Sequence, residues 1–186
     1  IYNRLAATPA HVIKIAVQAH DILDCLPVFK LLNREGREAI AIAMGNAGIA
    51  TRILGPARGA FLTYGALADE SATAPGQVTA RNLRSLYRID QINSDTTVCG
   101  LIGMPVMHSV SPQYHNGWFA AEGLNGVYLP FEVRDVDSFM TRMVHPRTRE
   151  LDWKLRGLSV TAPHKQTVMK HLDWLDPVAK ETGAVN

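Results

Sequence analysis

Short apolar runs alternate with segments of helical apolar spacing through the first half of the chain. The apolar runs contain many β-branched residues, which is typical of buried strands, and the last run is the weakest: residues 11–17, 39–44 and 59–63. Apolar positions at helical spacing mark the segments that follow each run: residues 22–32, 48–54 and 79–87. Three strands alternating with three helices predict parallel βα units.

A second alternation of the same kind begins after a polar stretch. We place a linker at residues 91–97, which divides the chain into a first part, 1–90, and a second part, 98–186. In the second part the predicted strands are residues 98–103, 126–133 and 157–161, and the predicted helices are 111–122, 136–144 and 163–172. The polar residues 145–156 predict an irregular connection. The whole chain is therefore predicted to be of the α/β class.

Composition and charge exclude several classes of protein. The chain has 186 residues, of which 47% are hydrophobic, and a net charge of only +2. No basic stripe supports a nucleic-acid partner, whereas small anionic substrates fit this charge. No apolar stretch reaches the ~20 residues that a membrane helix needs. Cys25 and Cys99 lack metal-ligand or disulfide spacing, so we expect a reducing compartment, the cytoplasm. A homo-oligomer is compatible with the sequence.

Lys14 is the most informative residue of the first half. Strand alternation places it on one face with Val12 and Ala16, and the other face carries Ile13, Ile15 and Val17. One reading is a lysine that protects an exposed edge strand from pairing with other chains. The other is a desolvated lysine that loses its proton readily and attacks a carbonyl to form a Schiff base.

Three further segments favour the second reading. They are MG at residues 44–45, TRILG at 51–55 and SATAPGQ at 71–77. Together with VIKIAV at residues 12–17, in this order and spacing, they resemble the last three βα units of type I 3-dehydroquinate dehydratase, a TIM (β/α)8 barrel. The resemblance implies that residues 1–90 are the C-terminal part of such a barrel.

The resemblance assigns roles to individual residues. It implies that Lys14 forms the Schiff base and that Arg52 holds the substrate carboxylate. Thr73 and Gln77 would contact substrate hydroxyls, and Met44 would line the pocket. The general-base histidine of the family precedes the Schiff-base lysine, and no residue upstream of Lys14 matches it. We therefore expect no dehydratase activity from this segment alone.

Two segments of the second half carry candidate chemistry. Ser109, Ser111 and Pro112 lie where a strand ends and a helix begins, and Ser111 has the residue type of a helix N-cap. Capping explains Ser111 but not Ser109, and two hydroxyls beside a helix N-terminus can bind a carboxylate. Lys165 follows the strand at 157–161 and is predicted in the first turn of a helix, where the helix dipole disfavours a cation. It is either a surface lysine or a proton donor to a substrate oxygen.

These segments, with the closing GAVN at residues 183–186, resemble the α/β substrate-binding domain of shikimate dehydrogenase. The resemblance implies that Ser109 and Ser111 bind the shikimate carboxylate, that Thr161 and Asn186 bind ring hydroxyls, and that Lys165 is catalytic. It also implies NADP as cofactor of a longer parent protein. The NADP-binding domain of the family follows the substrate domain, and this chain contains no G-x-G-x-x-G motif.

The two resemblances in this order predict a shikimate-pathway enzyme that dehydrates 3-dehydroquinate and reduces 3-dehydroshikimate to shikimate. Such fusions occur in plants, where the location would be the plastid, in some bacteria and in the fungal arom protein. Two alternatives stay open: a regulatory protein similar to the quinate-pathway repressors, and a dehydrogenase that prefers quinate. Four of the five histidines of the second half show no ligand spacing that predicts a metal site: His108, His115, His164 and His171.

Overall fold

The computed structural model of the protein describes residues 1–68 and 76–186. In the first half the elements are α1 (Tyr2–Ala6), β1 (Ile13–Gln18), α2 (Cys25–Leu32), β2 (Ala39–Met44), α3 (Ile49–Leu54) and α4 (Ala80–Ser85). In the second half they are β3 (Thr97–Gly103), α5 (Ser111–Ala121), β4 (Gly126–Glu132), α6 (Val136–Phe139), β5 (Leu155–Val160) and α7 (Pro177–Thr182). The strands pair in parallel, which confirms the predicted α/β class.

The first half contains a two-stranded parallel sheet in which Lys14 of β1 lies opposite Ile40 of β2. The strand β2 is buried along nearly its whole length and α3 packs against its end. Thr51 anchors this helix, because its hydroxyl accepts a hydrogen bond of 3.0 Å from the N–H of Ala43. Gly48 permits the approach, since a Cβ at this position would lie 2.1 Å from the carbonyl oxygen of Ala43.

The second half contains a three-stranded parallel sheet in the order β4-β3-β5. The helix α5 covers one face, where Leu101, Val106 and Tyr128 form a small apolar cluster. Asn116 of α5 is buried and fastens the helix to the strand beneath it. Its amide donates to the carbonyl of Tyr128 at 2.9 Å and accepts from the N–H of Tyr128 at 2.8 Å.

The other face of this sheet shares one continuous apolar core with the first half. Its members come from both halves and include Phe29, Ile53, Phe131 and Trp153. Polar contacts also join the two halves of the chain. Lys30 pairs with Glu150 at 2.5 Å, and the N–H of Arg134 donates to the carboxylate of Asp21 at 2.6 Å. The described halves therefore stabilise each other through direct packing.

Several predicted elements differ in the structure. The weak strand at 59–63 is reduced to a single bridge between Ala60 and Ala39. The predicted helix 163–172 is wrong: turns follow β5, and only a 3-10 helix, Thr167–His171, forms. The helix at 136–144 ends in a π-helical turn, Met140–Val144. The two short terminal helices, α1 and α7, were not predicted, because each is too short to show apolar periodicity.

Candidate functional site

Two loops meet at the carboxyl ends of the neighbouring strands β3 and β5. The N–H of Met104 donates to the carbonyl of Ala162 at 3.0 Å, and the N–H of Thr161 donates to Ile102 at 2.9 Å. A Cβ on Gly103 would lie 2.4 Å from Cγ2 of Thr161, so the glycine permits this close contact. The carboxyl ends of parallel strands are where α/β proteins bind ligands. Residues that follow β3 and β5 are therefore brought to one edge.

The serine pair lies in the first of these loops, where α5 begins. The hydroxyl of Ser109 donates to the hydroxyl of Ser111 at 3.0 Å, and the backbone N–H of Ser111 donates back to Ser109 at 3.2 Å. The structure reverses the expected capping roles: the helix begins at Ser111, and Ser109 satisfies the Ser111 N–H. The two half-buried hydroxyls lie together at the partly positive end of an 11-residue helix, which suits a carboxylate.

Lys165 of the second loop is paired with Asn186, which follows α7. The ammonium group of Lys165 donates to the side-chain oxygen of Asn186 at 2.5 Å, and the N–H of Val185 donates to the carbonyl of Lys165 at 2.9 Å. Lys165 lies in a turn before the 3-10 helix, so the prediction of a cation in the first turn of an α-helix is wrong. Its position is explained by a polar partner and not by a helix dipole.

Two hydroxyl side chains near this site were not identified from the sequence. Ser159 of β5 and Tyr128 of β4 point to the face covered by α5, since both lie at register positions paired to Cys99 or Leu101 of β3. Burial raises the pKa of Tyr128, and the neighbouring side chains of Ser159 and Ser111 partly offset that rise. Strand alternation could have placed Ser159 on this face, but no local pattern reports its distance from Ser111.

Three histidines of the second half make structural contacts. His164 is buried and its Nε2 lies 2.6 Å from the carbonyl oxygen of Val133, His115 stacks on the ring of Tyr128, and His171 contacts Asp137 at 2.7 Å. Within residues 1–68 and 76–186 no group of three or more His, Cys, Asp or Glu residues could hold a metal ion. No helix in the same described residues is long and apolar enough to cross a membrane.

Lys14 lies on the exposed face of the first sheet. Its Nζ is 4.5 Å from the centroid of the Tyr64 ring, so the aromatic face is its described neighbour. The described residues do not bury this side chain as the Schiff-base reading expects. Met44 lies on the same face, but its register partner is Gln18, four residues beyond Lys14 and roughly 13 Å farther along the strand.

Arg52 is the buried charged group of the first half. It lies on α3 with 3% of its surface exposed, and burial lowers its pKa. Its Nε has no hydrogen-bond partner among the residues that the structure describes. Buried donors are normally paired, so this nitrogen is suited to an acceptor such as a carboxylate.

The loop at 71–77 is described only at its end. Thr73 lies outside the described residues. A Cβ on Gly76 would lie 2.1 Å from the carbonyl oxygen of Gly45, which places the end of this loop against the carboxyl end of β2. Gln77 follows and is half-buried. The segments that contain Met44 and Gln77 therefore lie in contact at the carboxyl end of β2. Lys14 contacts Tyr64 instead and lies near the other end of the sheet.

The residues of this chain do not fit a dinucleotide cofactor. Pyrophosphate binding in NADP-dependent folds uses a glycine-rich turn in which two glycines are separated by a single residue, and no such pair occurs in the sequence. The helix that follows β3 begins with Ser111 and Pro112, and proline offers no N–H to a phosphate.

The chain was compared with protein families and with curated proteins. Residues 1–94 match the family model of type I 3-dehydroquinase, and residues 101–186 match that of the shikimate dehydrogenase substrate binding domain. Over 183 residues the chain is 38% identical to a bifunctional 3-dehydroquinate dehydratase/shikimate dehydrogenase, chloroplastic, of Arabidopsis thaliana, covering 98% of this chain and 29% of that protein.

Two further relatives agree with this division. The shikimate biosynthesis protein AroDE of Chlamydia pneumoniae is 31% identical over 188 residues, covering 100% of this chain and 38% of its own length. A shikimate dehydrogenase (NADP(+)) of Methanobrevibacter smithii is 44% identical over 95 residues, covering 51% of this chain and 32% of its own length. The chain thus spans about a third of the length of these relatives. It belongs to the type I 3-dehydroquinase family through residues 1–94, joined to a shikimate dehydrogenase substrate-binding segment at residues 101–186.

Proposed function

We propose that residues 98–186 bind the substrate of a shikimate dehydrogenase. Ser109 and Ser111 hold the carboxylate of shikimate or 3-dehydroshikimate, and Thr161 and Asn186 bind the ring hydroxyls. One observation carries this proposal: the serine pair follows β3, and Lys165, which is paired with Asn186, follows the adjacent parallel strand β5. A pair of hydroxyls that can bind an anion and a cation with an amide partner, both at one sheet edge, suit a hydroxylated carboxylate.

Lys165 is the proposed proton donor of this half. Reduction of the ring ketone leaves negative charge on its oxygen, and an ammonium group held by Asn186 can protonate that oxygen. The Methanobrevibacter relative is named for NADP(+), which supports NADP as the cofactor of a longer polypeptide that contains this segment.

For residues 1–90 we propose the C-terminal part of the dehydratase site. Lys14 attacks the ketone of 3-dehydroquinate, water leaves, and the resulting iminium makes the adjacent carbon acidic. Arg52 pairs with the substrate carboxylate, Met44 lines the pocket, and Thr73 and Gln77 contact hydroxyls. The unpartnered Nε of buried Arg52 supports a carboxylate ligand. Since Lys14 is exposed, residues outside this segment would have to bury it, and the segment alone should not dehydrate the substrate.

A regulatory role is not favoured, because the Arabidopsis and Methanobrevibacter relatives are named for enzymes and both lysines are present. A dehydrogenase that prefers quinate would use the same serine pair, because both acids present a carboxylate. Free Cys25 and Cys99 fit a reducing compartment, the cytoplasm or, as for the Arabidopsis relative, a chloroplast. We propose small shikimate-pathway acids as ligands.

The proposal is tested by titrating the 186-residue chain with shikimate and following amide signals by NMR. Saturable binding is expected, and Ser109→Ala should weaken it about 10-fold, because a hydrogen bond to a charged group is lost. Ser85→Ala, in α4 of the first half, is the matched control and should bind as the original chain does. Absence of saturable binding, or equal affinity of Ser109→Ala, would refute the proposed carboxylate site.

A further inference from the structure

The buried hydroxyl of Tyr128 has no hydrogen-bond acceptor among the described residues of the free protein. Tyr128 is 3% exposed, and its hydroxyl oxygen has no hydrogen-bond partner among the described residues. Buried polar side-chain atoms normally have a partner, because burying one without a hydrogen bond is costly. A tyrosine that is kept here instead of phenylalanine therefore needs an explanation in another state of the protein.

The position of the Tyr128 ring is fixed by three contacts. Asn116 binds both the N–H and the carbonyl of Tyr128, at 2.8 and 2.9 Å. The imidazole of His115 stacks on the ring with a centroid separation of 4.2 Å and an interplanar angle of 20°. The backbone and the ring of Tyr128 are thus both held by α5, and the residue is buried.

Tyr128 lies next to the serine pair. Ser111 lies one turn before His115 on α5, so the two residues share the helix face that contacts the Tyr128 ring. The side chains of Ser159 and Ser111 also moderate the rise in the pKa of Tyr128 that burial causes. Ser111 belongs to the carboxylate cradle, and its oxygen accepts the proton of Ser109 in the free protein. Tyr128 is therefore beside the hydroxyl that accepts the hydrogen bond of the other serine.

Binding of a carboxylate changes the hydrogen bonds that Ser109 and Ser111 make. When both serine hydroxyls donate to the carboxylate, Ser109 no longer donates to Ser111, and the Ser111 oxygen is left without a donor. We infer that Tyr128 is a positioning residue of the carboxylate site, whose hydroxyl donates to Ser111 when the ligand is bound. A chain of hydrogen bonds that ends on an anion is strengthened along its length. This inference rests on the proposed function of the second half.

The test compares Tyr128→Phe with the original 186-residue chain. Affinity for shikimate should fall about 5- to 10-fold, because one hydrogen bond in a charged network is lost. Affinity for methyl shikimate, which lacks the anionic carboxylate, should be the same in both proteins. The melting temperature of the free chain should not fall, because the deleted hydroxyl has no partner there. Tyr114→Phe, at a 75% exposed tyrosine of α5, is the matched control.

A spectroscopic readout separates a positioning role from a packing role. With shikimate labelled with ¹³C at the carboxyl carbon, the bound signal should shift in Tyr128→Phe and stay in place in Tyr114→Phe. Equal shikimate affinity, an equal loss for both ligands, or an unmoved carboxyl signal would overturn the role of Tyr128 while the substrate site stands. If the original chain binds no shikimate, the proposed function and this inference both fail.

Discussion

The ammonium group of Lys165 and the side-chain oxygen of Asn186 are 2.5 Å apart, although 21 residues separate them in the chain. The second contact between the same segments, from the N–H of Val185 to the carbonyl of Lys165 at 2.9 Å, shows that the pairing includes the backbone. The conformation of Lys165 is therefore set by the segment that follows α7, and the lysine is held at the sheet edge that also carries the serine pair.

This geometry predicts the effect of Lys165→Ala in a longer polypeptide that contains the segment. Loss of a positioned proton donor should reduce the rate of 3-dehydroshikimate reduction by about 10²- to 10⁴-fold. Affinity for shikimate, measured by titration, should change little, because Ser109 and Ser111 hold the carboxylate. Lys180→Ala, at an exposed lysine of α7, is the control and should leave the rate unchanged. Unaltered turnover of Lys165→Ala would argue against the assignment.

Much of the fold could be predicted from sequence because apolar alternation reports burial directly. The run at 39–44 forms β2 with the predicted bounds, and Ile13 is buried beside exposed Lys14, as period-2 spacing requires. The family resemblance is confirmed over both halves. The segment at 163–172 was misread because its apolar spacing fits a helix, whereas its proline-containing turn and contacts with the chain end override that propensity.

The candidate site was less predictable, because a sequence pattern does not report which groups meet in space. The pairing of Lys165 with Asn186 and the position of Tyr128 beside Ser111 both depend on strand order. The environment of Lys14 depends on whatever covers the exposed face of β1. The residue roles carried over from the two families therefore remain predictions.

The role of Lys14 predicts a covalent product in the longer polypeptide. Borohydride added with 3-dehydroquinate should reduce the iminium and leave a stable mass increase on the peptide that contains Lys14, as measured by mass spectrometry. Lys14→Arg keeps the positive charge but cannot form the iminium, so it should give neither label nor dehydration. Lys30, which is paired with Glu150, serves as the internal control and should stay unlabelled. A labelled enzyme with unmodified Lys14 would contradict the role.

Asn116 offers a test of how α5 is fastened to the sheet. Asn116→Ala removes two buried hydrogen bonds and leaves the N–H and carbonyl of Tyr128 without these partners. The free energy of unfolding in urea should fall by about 2–4 kcal/mol. Gln113→Ala, at an exposed position of the same helix, should change it by less than about 0.5 kcal/mol. Similar effects of the two substitutions would show that the amide contributes little.

The stability that Glu150 gives to the folded chain, partly through its contact with Lys30 of the first half, should depend on pH. Hydrogen bonds from Arg142 and then Lys30 lower its pKa from an ordinary value of 4.5 to about 2. Because the folded-state pKa is the lower one, the ionised carboxylate stabilises the fold fully above pH 4.5, and this contribution is lost as the pH falls toward 2. The pair is partly exposed, so the effect on melting temperature should be small, about 1–3 °C.

The measurement is the difference in melting temperature between the original chain and Glu150→Gln as a function of pH. The difference should be largest near pH 6 and vanish near pH 2, because protonation makes Glu150 resemble glutamine in charge. Glu35→Gln, at an exposed glutamate of the first half, controls for the general effect of losing a negative charge. High salt should shrink the difference only for Glu150→Gln, since ion pairs at the surface are screened. A difference independent of pH would show that Lys30 and Arg142 do not stabilise the boundary through this carboxylate.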